Sequence, residues 1–238
     1  MMTLQTVFLH GLNNDSGVWA PVSETLAEKI TSTALMLPPL SDIDEIADWV
    51  ADQYEGAALL VGHSFGGAVV QAVLDRHPDK VRGLVLVNAS VRADSAQGAE
   101  NRRAKAAGLA SEADYRAMAT GSPDRLYAPR NATNPEILQT RKESVAIYGL
   151  ERFTAHSQAL ASRPDRTEAV ANAEVPVLVV AADGDVVITT DSQRSFAQEV
   201  GAQFEVIAHT GHMLPAEEPE KLGQVIGDFI SANFATEG

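Results

Sequence analysis

The hexapeptide Gly62-His63-Ser64-Phe65-Gly66-Gly67 constrains this chain more than any other stretch. It follows the apolar run Ala57-Ala58-Leu59-Leu60-Val61 and precedes Ala68-Val69-Val70-Gln71-Ala72-Val73-Leu74. A short apolar run, a turn flanked by glycines and a second, longer apolar run read as a buried strand, a tight turn and a helix. Strand and helix backbones meet so closely at such a turn that Gly62 and Gly66 are expected where a Cβ would not fit. Ser64 then sits on the strained apex with its hydroxyl thrown clear of the sheet, the geometry of a nucleophile elbow. The backbone N–H of Phe65 falls at the start of the helix, where negative charge is favoured.

The rest of the chain repeats the strand–helix alternation. Strands are expected at Thr6–Leu9, Thr33–Leu37, 57–61, Val81–Val87, Val175–Ala181 and Phe204–Ile207. Helices are expected over 22–30, 43–54 (capped by Ser41 or Asp42), 66–76 and 219–234. Apolar strands alternating with helices predict an α/β fold with a mostly parallel sheet of about six strands, covered by helices on both faces. Residues 90–165 break the rhythm: they are rich in Ala, Arg and Glu, contain no clear strand, and read as a helical cap of three to five helices. The expected organisation is therefore a core of 1–89 and 166–238 carrying a cap at 90–165.

Bulk properties narrow the function. At 238 residues the chain suits one sizeable domain with an insertion. Its net charge of −14 argues against nucleic acid and anionic membranes as partners. With no cysteine there are no disulfides and no thiolate metal sites. No basic, apolar leader opens the sequence and no apolar run reaches membrane-spanning length, so a cytoplasmic protein is expected.

A serine nucleophile requires a base, an acid to orient it and donors for the oxyanion. In open α/β sheets such groups collect beyond the carboxyl ends of strands. The strand 175–181 ends in Ala182-Asp183-Gly184-Asp185, and 204–207 is followed by Ala208-His209-Thr210-Gly211-His212. The order is thus Ser64, then Asp183 or Asp185, then His209 or His212.

These motifs, with His10-Gly11 after the first strand and Glu218-Pro219-Glu220 after the histidines, make the chain resemble the α/β-hydrolase superfamily, of the small capped esterase-like kind. The resemblance implies Ser64, Asp185 and His212 as the catalytic triad. Asp183 is left to tie down its loop, and His209 to a loop role. It implies the backbone N–H of Leu12 as the oxyanion donor that joins Phe65. His10 and His63 are expected to make structural contacts, and Trp19, at the His-Gly-to-Trp spacing of many relatives, to pack. Two departures stand out: the two leading strands of the full family sheet are not expected ahead of Thr6–Leu9, and Val186-Val187-Ile188-Thr189 lacks the usual proline. The activity implied is hydrolysis of a small carboxylic ester through an acyl-enzyme. The same triad also serves lyases, synthases and C–C bond hydrolases, and the fold serves some ligand receptors. A small-molecule substrate is expected, with no cofactor and no metal, and the oligomeric state is open. Of the ten arginines from Arg92 to Arg166, most are expected on solvated helix faces. One or two facing the pocket would hold a substrate carboxylate.

Overall fold

The computed structural model describes residues 3–89 and 92–234. The first residues of the expected cap, 90 and 91, and both chain ends lie outside the described residues. The strands are β1 (Leu4–Leu9), β2 (Ile30–Leu35), β3 (Ala58–His63), β4 (Val81–Val87), β5 (Val177–Ala182) and β6 (Gln203–Ile207). They pair in parallel throughout, in the order β2-β1-β3-β4-β5-β6. The helices are α1 (Ala20–Thr25), α2 (Ile43–Ala51), α3 (Phe65–Arg76), α4 (Ala96–Ala107), α5 (Glu112–Thr120), α6 (Pro135–Ser162), α7 (Thr167–Ala171), α8 (Thr190–Val200), α9 (Leu214–Glu217) and α10 (Pro219–Asn233).

The period of two along each strand divides the core between the faces. Leu60, Leu84, Leu86 and Val179 join Ile46 and Val50 of α2, Val69 and Val70 of α3 and Phe196 of α8 on one side. Leu59, Val61, Val85, Leu178 and Val180 join Trp19, Val22, Leu222, Ile226 and Phe229 on the other. Trp19 is fully buried with its ring 5.1 Å from Phe8, the packing role expected of it. The central strands β3 and β5 are buried at every residue. Residues buried on both sides must be apolar all along, which is why these strands read as unbroken apolar runs.

Two expectations need correction. The helix expected over 22–30 ends at Thr25, and Ile30 already belongs to β2. The strand expected over 33–37 runs instead over 30–35. β2 is an edge strand whose central four residues are exposed, so Thr31, Ser32 and Thr33 are accommodated there without an apolar run. The α2 helix is capped by the Asp42 carboxylate, which accepts from Asp44 N–H at 2.7 Å.

Between β4 and β5 lie α4, α5, α6 and α7. Within α6 the helix breaks at Gly149, whose φ of 77° and ψ of 161° are open only to glycine. The Glu112 carboxylate of α5 accepts the freed Leu150 N–H at 2.8 Å. A small apolar cluster of Tyr115, Val145, Tyr148 and Phe153 joins α5 to α6. Further along, Ala159 and Leu160 of α6 and Val170 of α7 enter the core cluster.

Candidate active site

The strand order places the carboxyl ends of β1 and β3 side by side, where the chain, having turned out to β2, returns to the other side of β1. That switch point opens a crevice in parallel sheets. Leu12 follows β1 there and Ser64 follows β3.

Ser64 has φ 53° and ψ −111°, a conformation a non-glycine residue holds only under constraint. Its own N–H donates to Val87 carbonyl at 3.0 Å, and its carbonyl accepts from Gly67 N–H at 3.1 Å. A Cβ on Gly62 would meet Gly66 O at 2.4 Å, and one on Gly66 would meet Leu9 O at 2.3 Å. Backbone occupies both places, so the turn closes only with glycine. A Cβ on Gly11 would stand 3.0 Å from Ser64 Cβ, so glycine also lets the loop after β1 lie against the elbow.

His212 Nε2 lies 3.0 Å from Ser64 Oγ, and His212 Nδ1 lies 2.8 Å from Asp185 Oδ2. The carboxylate accepts the Nδ1 proton, which leaves Nε2 as the acceptor for the serine hydroxyl. Asp185 has no exposed side-chain surface. Its Oδ1 accepts from Val187 N–H at 2.7 Å and Ile188 N–H at 2.9 Å. The segment without the usual proline therefore still clamps the carboxylate. Asp183 is separate: its Oδ1 accepts from Thr210 N–H at 3.3 Å and ties the two loops together. His209 is exposed, with φ 63°, in the turn before Thr210.

The N–H groups of Leu12 and Phe65 have no acceptor among the described residues. Both residues line the same cavity as Ser64 and His212, which measures about 620 Å³. Unpaired donors at the head of α3 and in the loop after β1 suit an oxygen that gains negative charge.

Three buried histidines surround this centre without sharing it. Leu37 N–H donates to His10 Nε2 at 3.1 Å, so the ring proton sits on Nδ1 and goes to Gly11 carbonyl at 2.9 Å. Burial lowers the His10 pKa to about 4. His63 Nε2–H donates to the His212 carbonyl at 2.8 Å and steadies the histidine loop from below. Burial, aided by His212, lowers its pKa to about 3. His156 of α6 stacks on Phe65 with ring centroids 4.6 Å apart. It accepts from Tyr148 Oη–H at 2.7 Å and donates to Pro38 carbonyl at 2.7 Å. Burial lowers its pKa to about 3. All three are neutral at pH 7. His77, at the carboxyl end of α3, meets Asp48 at 2.7 Å, away from the site.

Sequence reasoning missed two positioning residues. Asn88 directly follows β4 and has φ 42°. Its amide donates to the carbonyls of Gly211 at 3.1 Å and His212 at 3.0 Å, while its Oδ1 accepts from Ala182 N–H at 2.8 Å. One side chain thus locks the ends of β4 and β5 to the histidine loop. Glu217 accepts from Gly211 N–H and from Ala128 N–H, both at 2.8 Å. An apolar strand that stops at Asn was the available signal for the first; nothing local marks the second.

The model of the Alpha/beta hydrolase family matches residues 6–225. A pimeloyl-[acyl-carrier protein] methyl ester esterase of Chromobacterium violaceum is 39% identical over 94 residues, a match that covers 36% of this chain and 37% of that protein. Against this and the next such esterase, the chain thus aligns with little more than a third of their length. Lipase LipV of Mycobacterium tuberculosis is 25% identical over 92% of this chain and 90% of its own. Among solved structures, a thermophilic esterase of Thermogutta terrifontis superposes with a TM-score of 0.88 at 25% identity, covering 97% of this chain and 90% of that one.

Proposed function

The chain belongs to the Alpha/beta hydrolase family, and from that premise we propose that it is a serine hydrolase of small carboxylic esters, with Ser64, His212 and Asp185 as its triad. The observation that carries this reading is the run of hydrogen bonds from Asp185 through His212 to Ser64 at the edge of an open cavity. Esterase and lipase names among the relatives agree with it.

In this reading His212 Nε2 takes the Ser64 Oγ proton as the oxygen attacks the ester carbonyl carbon. Asp185 holds the imidazole in the required tautomer and balances the imidazolium. The carbonyl oxygen becomes an oxyanion and receives the N–H groups of Leu12 and Phe65. Collapse breaks the ester C–O bond, and the departing alkoxide takes the proton from Nε2. Water then gives a proton to Nε2 and attacks the acyl carbon, and the acid leaves with Ser64 restored. The helical segment up to 165 acts as a cap that selects the substrate, since Arg92, Arg102 and Arg141 from it line the cavity together with Ser64.

Hydrolysis of p-nitrophenyl esters from acetate to octanoate, with Ser64→Ala alongside, tests this. Turnover that depends on Ser64 and peaks at one chain length is the expected result. Retention of most hydrolysis in Ser64→Ala overturns it. C–C bond hydrolysis is the second reading, because a 2-hydroxymuconate semialdehyde hydrolase of Pseudomonas is 29% identical over 72% of this chain. A wild-type protein that leaves every ester intact while a fluorophosphonate labels Ser64 favours that alternative.

A further inference from the structure

Three of the ten arginines between β4 and β5 are buried, and they differ in one respect. Arg163 meets Asp94 at 3.0 Å. Arg166 meets Asp75 at 3.1 Å and also Asp44. Arg141 is 5% exposed and meets no carboxylate among the described residues. Its Nη1 donates to Asn13 carbonyl at 2.8 Å and Asn14 Oδ1 at 3.0 Å, and its Nη2 to Ala119 carbonyl at 3.2 Å. Those contacts use three of the five N–H donors of a guanidinium. Nε–H is buried with no acceptor among the described residues. Its titratable neighbours include Tyr127, Tyr115, Tyr148 and His63, none of which supplies a negative charge at neutral pH. Carbonyl and amide oxygens satisfy geometry but do not neutralise the cation. A buried charge in that position is costly until an anion joins it.

Arg141 belongs to the wall of the Ser64 cavity and also to a second cavity of about 460 Å³. The two differ in charge. Around the Ser64 cavity Arg102 and Arg163 share one acid, Asp94, Arg92 pairs with Glu199, and Arg141 has no acid partner among the described residues. The second carries Asp15, Glu136 and Glu143. In a chain of net charge −14 the first is a local basic chamber, and an anion enters from that side. A carboxylate that reaches Arg141 from that side supplies the missing charge, and a guanidinium is the cation whose fork a carboxylate matches.

We propose that the Ser64 cavity takes esters bearing a second, free carboxylate, half-esters of dicarboxylic acids, and that Arg141 is the residue that binds that carboxylate. The proposal rests on the serine-hydrolase reading for the ester end and on Arg141 alone for the acid end. Arg141 is a specificity residue, since it holds the substrate at a distance from the reacting carbonyl and takes no part in proton transfer.

The test compares mono-p-nitrophenyl glutarate with its methylated, uncharged diester. Wild-type kcat/KM is expected to favour the half-ester by about tenfold or more, because the neutral analogue leaves the Arg141 cation without its anion. Arg141→Gln brings that ratio to about one, with the loss in KM. An unchanged ratio in Arg141→Gln overturns the proposal, as does an equal fall on both substrates with the fold intact, which marks Arg141 as a strut between α6 and the Asn13–Asn14 loop. Should Arg141→Gln fail to fold, Arg141→Lys decides: it keeps the charge, loses the fork, and is expected to lower the same ratio. A separate arm titrates Ser64→Ala with glutarate and with butyrate by calorimetry. Glutarate binding that disappears in Ser64→Ala/Arg141→Lys supports the carboxylate site even if no ester is hydrolysed, an outcome that refutes only the ester chemistry. Equal binding of the two acids, or none, overturns the site.

Discussion

The sheet and the helical segment inserted between its fourth and fifth strands are held by different forces. In the sheet, β3 and β5 are buried at every residue and the two faces carry extended apolar clusters. In the insertion as far as Phe153, the apolar clusters are small, one centred on Tyr115, Val145, Tyr148 and Phe153 and another on Tyr127, Ala132 and Met213. Side chains that reach for backbone carbonyls do much of the joining: Arg141 to Asn13, Arg152 to Leu37 and His156 to Pro38. Burying apolar surface adds about 25 cal/mol per Å² without regard to direction. A hydrogen bond adds about 1 kcal/mol net and only at one geometry. The rigid half therefore suits chemistry that tolerates little displacement, and the hydrogen-bonded half suits selection, where one side chain can change what is admitted.

The largest expected effect breaks the chemistry and leaves both halves standing. Ser64→Ala is expected to lower kcat for an ester by ~10⁴- to 10⁶-fold, with thermal unfolding changed little, as steady-state kinetics beside calorimetry would show. Asp185→Asn comes next, at ~10²- to 10⁴-fold in kcat. Its Oδ1 is held by Val187 and Ile188 N–H, so the amide is forced to present its NH₂ towards His212 and favours the wrong tautomer.

Stability should part the two halves more finely. Gly66→Ala drives a methyl group to 2.3 Å from Leu9 O, and a loss of about 3 kcal/mol or more in urea denaturation is expected because only backbone can yield. Acid acts on both halves through His10, with a pKa of about 4, and His63 and His156, with pKa values of about 3. The unfolded imidazoles take protons near pH 6.5 and the folded ones do not, so the unfolded state binds more protons and stability falls as pH drops from 6.5 towards 4. Each histidine accounts for a loss on the order of 3 kcal/mol across that window. The denaturation midpoint of His156→Gln should accordingly fall less steeply with acid than that of the wild type. The smallest effect is Tyr148→Phe, which removes the 2.7 Å bond to His156 and should cost about 1 kcal/mol. Hydrogen exchange would reveal it as faster exchange in α6 with β3 unchanged; equal acceleration in both would mean that insertion and sheet open as one unit.

How much was legible follows the same division. β4 was expected at Val81–Val87 and lies there, and β3 and β5 were found within a residue or two, because strands buried on both faces leave no room for polar residues. The edge strand β2 was misplaced because solvent on its flank allows Thr31, Ser32 and Thr33, which carry no apolar signature. The kink in α6 was invisible: Gly149 tolerates the positive φ, but the carboxylate that caps the new helix start comes from Glu112 in another helix.

Read alone, the sequence pointed to the parallel architecture, the glycine-bounded elbow and the order Ser64, then Asp183 or Asp185, then His209 or His212 at strand ends, and the family resemblance singled out Asp185 and His212. Periodicity and backbone sterics act between near neighbours and leave their mark on consecutive residues. Only the tertiary structure decided which groups meet. Asn88 holds the histidine loop 123 and 124 residues away, and one arginine among ten is buried with no carboxylate partner among the described residues. Burial and charge pairing depend on what other elements bring to the same place, and that information exists only once the chain has folded.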